Sequence, residues 1–258
     1  MWPSPCLERA FTLIEVMVAL VILAVMAGGL AIPLAAQLQL HRQEETRRLL
    51  DDAKDALLGF AAAHARLPCP ATEAGGGVES FAAGGSSTNG NCADFHSGYL
   101  PGATLGLSPL DPAGFVRDAW QGPRSRIRYA VFGNGQAING VVNPLTRAGG
   151  MQAATLPGLG AAPHYLFICT TGAAATAAGC GPAANQLTRK AALVLLSLGP
   201  NATIEPAAGS DEARNLDGDA VFVYHEASEV AGREFDDVVQ WVPIHLVVNR
   251  LVVAGRLP

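Results

Sequence analysis

From Phe11 to Ala36 the chain reads FTLIEVMVALVILAVMAGGLAIPLAA, and past Glu15 no charged residue follows until Arg42. A helix rising ~1.5 Å per residue would carry this run about 39 Å, farther than the ~30 Å hydrocarbon core of a bilayer. A secretory signal peptide has an apolar region of only about 7–15 residues before a small-residue cleavage site, and this run is longer. A core helix of a soluble protein seldom stays uncharged over such a length. We therefore expect a transmembrane helix over 11–36. Its orientation is not set by basic residues, because Arg9 lies on one side and Arg42, Arg47 and Arg48 on the other, mixed with Glu44 and Glu45. Glu15 is the anomaly: an ionised carboxylate inside an apolar run needs a partner, unless it snorkels to the interface or stays protonated.

The run Glu8-Arg9-Ala10-Phe11-Thr12-Leu13-Ile14-Glu15 resembles the processing signature of the type IV pilin and type II secretion pseudopilin superfamily. The resemblance implies that a prepilin peptidase removes a leader of residues 1–10, cutting between Ala10 and Phe11, and methylates the new N-terminus. Ala10 stands where the family usually has Gly, and Ala is small enough for the same site. Glu15 would then be the fifth residue of the mature chain, the position that the family uses to pair with a neighbouring subunit's terminal amine during assembly. It also argues against the extreme tip subunit, which typically lacks that carboxylate. Gly28, Gly29 and Pro33 mark where the helix is free to bend or unwind. A similar region loses helical order in pilin-like filaments, whereas ordinary membrane helices simply tolerate such residues.

Helical periodicity continues beyond the apolar run. Leu49, Leu50, Ala53, Leu57, Phe60, Ala61 and His64 fall on one face, with nine charged residues crowded between Arg42 and Asp55. This predicts an amphipathic helix over 37–67, ended by Pro68, whose apolar stripe covers a sheet of the same chain. A globular head over 68–258 follows. Strand-like runs at Ile127–Phe132, His164–Thr170, Ala191–Leu198 and Ala220–Tyr224 are separated by turn signals such as Asn134-Gly135, Asn139-Gly140 and Gly199-Pro200. Pro243–Ala254 reads equally as a short helix or a last strand. The expected fold class is thus α+β and pilin-like: a long N-terminal helix, half membrane and half amphipathic, packed on an antiparallel sheet with long loops.

Cys6 lies in the leader, which leaves Cys69, Cys92, Cys169 and Cys180 with no CxxC pair, against a zinc or redox motif. Four cysteines allow three pairings, or four buried thiols. Nearest-neighbour pairing, Cys69–Cys92 and Cys169–Cys180, would close two loops of small polar residues that have no core of their own, and an oxidising compartment favours disulfides.

Two head segments extend the resemblance towards the major type II secretion pseudopilin. One is Leu110-Asp111 with Asp118-Ala119-Trp120-Gln121-Gly122-Pro123 and Arg128-Tyr129; the other is Ser197-Leu198-Gly199-Pro200-Asn201 with Phe235-Asp236-Asp237-Val238-Val239-Gln240-Trp241. The head is longer than in the compact major pseudopilins, and the cysteine-bounded loops and Gly133–Pro163 are the surplus. In that resemblance a loop near the C-terminus holds a calcium ion. Asp217, Asp219, Asp236 and Asp237 are the candidate ligands here, with ordinary Asx turns and caps as the other reading.

Other chemistry is sparse. The chain is half hydrophobic but only 15% charged, against roughly 25% for ordinary domains, with a net charge of −5. No basic field draws nucleic acid. Arg124, Arg126 and Arg128 alternate as on one strand face, a phosphate or partner stripe or else a solvated face paired with carboxylates. No HExxH, P-loop, complete GxGxxG or GxSxG occurs, so we expect no enzyme. The resemblance implies an inner-membrane subunit with a periplasmic head, extracted into a filament. Its partners would be membrane lipid, prepilin peptidase, an inner-membrane assembly platform and other pilin or pseudopilin subunits. A type II secretion pseudopilin and a minor type IV pilin acting in pilus assembly, adhesion or DNA uptake both fit.

Overall fold

The computed structural model describes residues 12–228, 230 and 234–258, and for 26–36 the backbone alone. In chain order its elements are α1 (Leu13–His64), α2 (Gly102–Leu105), β1 (Arg128–Val131), β2 (Ala137–Ile138), β3 (Val141–Val142), α3 (Gly150–Ala154), α4 (Leu156–Ala161), β4 (Leu166–Cys169), β5 (Gln186–Ser197), α5 (Asp211–Arg214), β6 (Val221–Val223), β7 (Val238–Pro243) and α6 (Ile244–Val253). The chain separates into two compact units, Met1–Glu44 and Glu45–Pro258, and the division falls inside α1.

In the first unit α1 begins on Thr12, whose Oγ1 accepts the Glu15 backbone N–H at 3.3 Å and whose carbonyl accepts it at 3.1 Å. A hydroxyl three residues ahead of a Glu is the arrangement that satisfies an orphan donor of the first turn. The helix is continuous through Gly28, Gly29 and Pro33. Leu13, Ile14, Val16, Met17, Val18 and Leu20 are all exposed, so apolar surface wraps the whole circumference. Among the described residues no helix is long and apolar enough to cross a membrane. Phe11 and the side chains of 26–36, which belong to the expected span, lie outside the described residues.

The second unit is an α+β body. From Glu45 on, α1 buries Thr46, Leu50, Ala53, Leu57, Leu58 and Ala61, a stripe recurring every three to four residues that joins one hydrophobic core with β5. The expected stripe was too long at its end. His64 is exposed and stacks on Phe60 at 4.1 Å, because the chain turns away at Ala65 in the left-handed region (φ 54°) before Pro68 is reached. Arg256 closes this terminus from the far end of the sequence. Its Nε and Nη2 donate to the Ala62 and Ala63 carbonyls at 3.0 and 2.8 Å, placing a cation on the last unpaired carbonyls of the helix.

β5 organises the sheet. Its residues Leu193–Leu196 lie between β1 and β7, with Leu193 opposite Val131 on one side and Val242 on the other, while its first half pairs with β4. Every residue from Ala191 to Ser197 is buried, which explains a run without the alternation of a half-wet strand. The expectation of a purely antiparallel sheet needs correction at one edge, where β6 runs parallel to β4. The chain leaving β5 returns through α5 before re-entering the sheet, and that crossover brings β6 in along β4's direction. Side chains close the backbone of β6: Asn215 donates to the Val223 carbonyl at 3.2 Å and accepts its N–H at 2.7 Å, and Asp219 accepts the Val221 N–H at 2.8 Å. The segment Pro243–Ala254 takes the helical reading, as α6, which sends Ile244, Val247 and Leu251 into the core; the last strand, β7, comes before it and was not expected.

Two disulfides, Cys69–Cys92 and Cys169–Cys180, clip the loops. The surplus stretch 133–163 is not featureless: Asn139-Gly140, both at positive φ, turn a small β2–β3 hairpin, and α3 and α4 follow.

Candidate functional site

Glu212, Asp236 and Asp237 come together with carboxylate oxygens within 4.8 Å of one another. Glu212 lies more than twenty residues from the adjacent pair Asp236 and Asp237, and local features assemble them. Ser210 caps the single turn of α5, its Oγ accepting the Ala213 N–H at 3.1 Å, and this turn points Glu212 inward to 6% exposure. Asn201 grips both Glu212 oxygens at 2.9 and 3.0 Å, and the Asp236 N–H donates to Glu212 Oε1 at 3.0 Å. Asp237 accepts from Asn215 Nδ2 at 2.7 Å. Gly199, at φ 67°, lies so close that a Cβ there would stand 2.5 Å from Asp236 Oδ1. The turn Leu198-Gly199-Pro200 therefore has to be glycine at this point.

The electrostatics are those of buried acids crowded together, with Arg128 acting on Asp237 only as its weakest influence. Burial, then the charge of Glu212, raises the Asp236 carboxyl to about 7, while the Asn201 backbone pulls it the other way. Burial drives Asp237 well above the usual range. Asp236 Oδ1 is buried without a hydrogen-bond partner, and among the described residues none of the three carboxylates is in an ion pair. A cavity of about 10 Å³, room for one water-sized sphere, touches Asn201, Glu212 and Asp237, with Arg124 and apolar side chains such as Leu198 and Leu216 on its other walls; Asp236 does not line it. Three hard oxygen donors, one of them Asp236 with an orphan oxygen, are the ligand chemistry of a hard cation such as calcium. The four aspartates named from the sequence do not form one site: Asp217 and Asp219 are each held by Arg214, at 2.6 Å. Asp236 and Asp237 find Glu212 instead. Glu212 was visible only as one acid among several in the Asp211–Asp219 stretch, and nothing local marks it as the inward-facing one.

At the other end of the chain, Glu15 is exposed in the first turn of α1, and among the described residues no cation pairs with its carboxylate. Ala10 and Phe11, the expected processing positions, lie outside the described residues. The family model of the prokaryotic N-terminal methylation motif matches residues 7–31, a stretch that contains Ala10, Phe11 and Glu15. The chain carries a type IV pilin-like N-terminal signature. No curated protein and no solved structure matches it.

In the second unit the head segment Asp118–Pro123 turns out to be structural. Asp118 is 2% exposed; its Oδ2 accepts the Ser197 hydroxyl at 2.7 Å, and its Oδ1 accepts the Trp120 and Gln121 N–H groups at 3.0 and 3.3 Å. The Ala119 N–H donates to Thr46 Oγ1 at 3.2 Å. One buried carboxylate thus ties the loop to the last residue of β5, and its neighbour ties it to α1. The arginines do not share a strand face, since β1 starts at Arg128. Arg124 pairs with Glu205 at 2.6 Å and Arg126 with Asp111 at 3.0 Å. Arg128 lies over Tyr99 and donates to the Ser97 carbonyl.

Proposed function

We propose that this pilin-like chain is a non-catalytic structural subunit of a filament, a type II secretion pseudopilin that assembles through its N-terminal helix to help drive protein export. The observation that carries the reading is the methylation motif at residues 7–31 together with Glu15 presented, exposed, in the first turn of an apolar helix. A helix apolar on all sides is stable only when lipid or other helices cover it, and a carboxylate within it needs a cation. A neighbouring subunit's N-terminal amine, freed by prepilin peptidase, supplies both in a filament. The head would sit in the periplasm with the helix anchored in the inner membrane until extraction by the assembly platform. Any unwinding at Gly28, Gly29 and Pro33 would accompany that packing, because the helix of the isolated chain is continuous there.

Replacing Glu15 with Leu tests the reading: processing and membrane insertion should persist, while filament formation and secretion fall to background. Unchanged secretion would sink it. The enlarged head favours, as a second reading, a minor type IV pilin. A deletion strain that secretes normally but loses twitching, adhesion or DNA uptake would select it.

We read calcium as the cofactor of the head, held by Glu212, Asp236 and Asp237. Its contribution would be structural: it pins α5 and the 199–201 turn to the start of β7.

A further inference from the structure

A cleft of about 420 Å³ opens where the Gly133–Gln136 turn, the residues around His164, the Cys169–Cys180 loop and the approach to β6 meet, and it shares no residue with the carboxylate cluster. That volume lies within the ~300–1,000 Å³ of small-ligand pockets. Its lips come from Gly133–Pro163 and the Cys169–Cys180 loop, the parts of the head in excess of a compact pilin-like body. The lip is held in place: the disulfide closes the loop, and a Cβ at Gly179 would stand 3.3 Å from the Phe167 ring.

The lining selects a ligand class. Phe167, 7% exposed and stacked on His164 at 5.1 Å, and the methyl groups of Ala177, Ala178 and Ala220 form the apolar surface of the floor, with Phe132 and Tyr165 buried beneath it. Asn134 and Gln136 bring amides that both donate and accept. His164 Nδ1 donates to the Tyr165 carbonyl at 3.3 Å, which fixes the ring at the rim. Burial pushes His96 down, towards the neutral form. Among the described residues no Lys or Arg lines the cleft, and the one lining carboxylate, Asp219, is already held by Arg214 and the Val221 N–H. An anion would find no countercharge, and a cation would find no free carboxylate. A neutral molecule with one apolar face and a hydroxyl edge satisfies the floor and the rim together.

We propose that this cleft binds a neutral sugar residue. Full-length protein in a zwitterionic detergent without a sugar headgroup would be titrated with maltose, N-acetylglucosamine and its β1,4-linked tetramer, and saturation-transfer NMR recorded. At least one sugar should show transfer at millimolar concentration, from the tetramer alone if the target is a polymer and from the small sugars if it is free. Ala178→Trp, which fills the mouth, and Gln136→Ala should each reduce transfer at least fivefold; both positions are exposed, and an unchanged melting temperature checks the fold. Absence of transfer from all three sugars overturns the proposal. So does transfer that persists in both folded variants, and so does an Ala178→Trp variant whose self-association changes while its sugar binding does not.

Discussion

Asp236 has a folded-state carboxyl raised to about 7 from an ordinary 3.8, so without metal the folded protein holds a proton that the unfolded chain has released. The stability this contributes is present below pH 4 and is lost as pH rises towards 7, by at most about 1.4 kcal/mol per pH unit. In a chelator the melting temperature should therefore fall between pH 4 and 7 more than other groups account for. On the proposed calcium reading the ion would compete with the proton for the same oxygen, so millimolar calcium should raise the melting temperature most at pH 7 and little at pH 4. Asp236→Asn should remove the share of the metal-free pH loss that Asp236 carries, leaving that of Asp237, and abolish the calcium effect. A melting temperature at pH 7 indifferent to calcium would end the metal reading. Asp118 behaves differently although burial also raises it, because Ser197 and two backbone N–H groups satisfy its oxygens. Asp118→Ala should cost about 1–3 kcal/mol in chemical denaturation, independently of calcium, through the donors left unpaired.

At the scale of elements, α1 is one helix with two sequence patterns and two environments. In the body Leu57 is fully buried, and Leu57→Ala should destabilise by about 2–5 kcal/mol. Leu20 is 61% exposed in the other unit, and Leu20→Ala should leave thermal unfolding of the head unchanged. Its effect belongs to assembly, where loss of a packed side chain should lower filament yield. The amphipathic stretch was readable because a period near 3.6 fixes which residues share a face. Its end was misjudged because the signal used, Pro68, lies past the true stop. That stop depends on Ala65 adopting a left-handed turn and on Arg256 arriving to cap it. β7 was missed as a strand for a similar reason: Val238–Pro243 follows two aspartates and ends in proline, and it becomes a strand only because β5 offers its backbone.

For the whole molecule, the two disulfides hold loops that the core does not reach. Replacing Cys69 and Cys92 together with Ser should cost about 3 kcal/mol, since the bond joins positions 23 apart, and reduction should mimic the change. If the doubly substituted protein melts as the parent does, the loop is held by its hydrogen bonds instead. The sparse charge of the chain, 15%, also has its meaning at this scale, because a head built from small neutral residues can pack side by side with copies at little desolvation cost. The sequence by itself determined what is encoded locally: the apolar helix with Glu15 in its first turn, the methylation motif, the amphipathic continuation and four of the five sheet strands. Each depends on spacing along one stretch of chain. Only the tertiary structure decided which acids meet, which strand runs parallel and where the cleft opens. Glu212 and Asp236, or Gln136 and Asp219, become neighbours through the path of the chain between them, and no local pattern records that path.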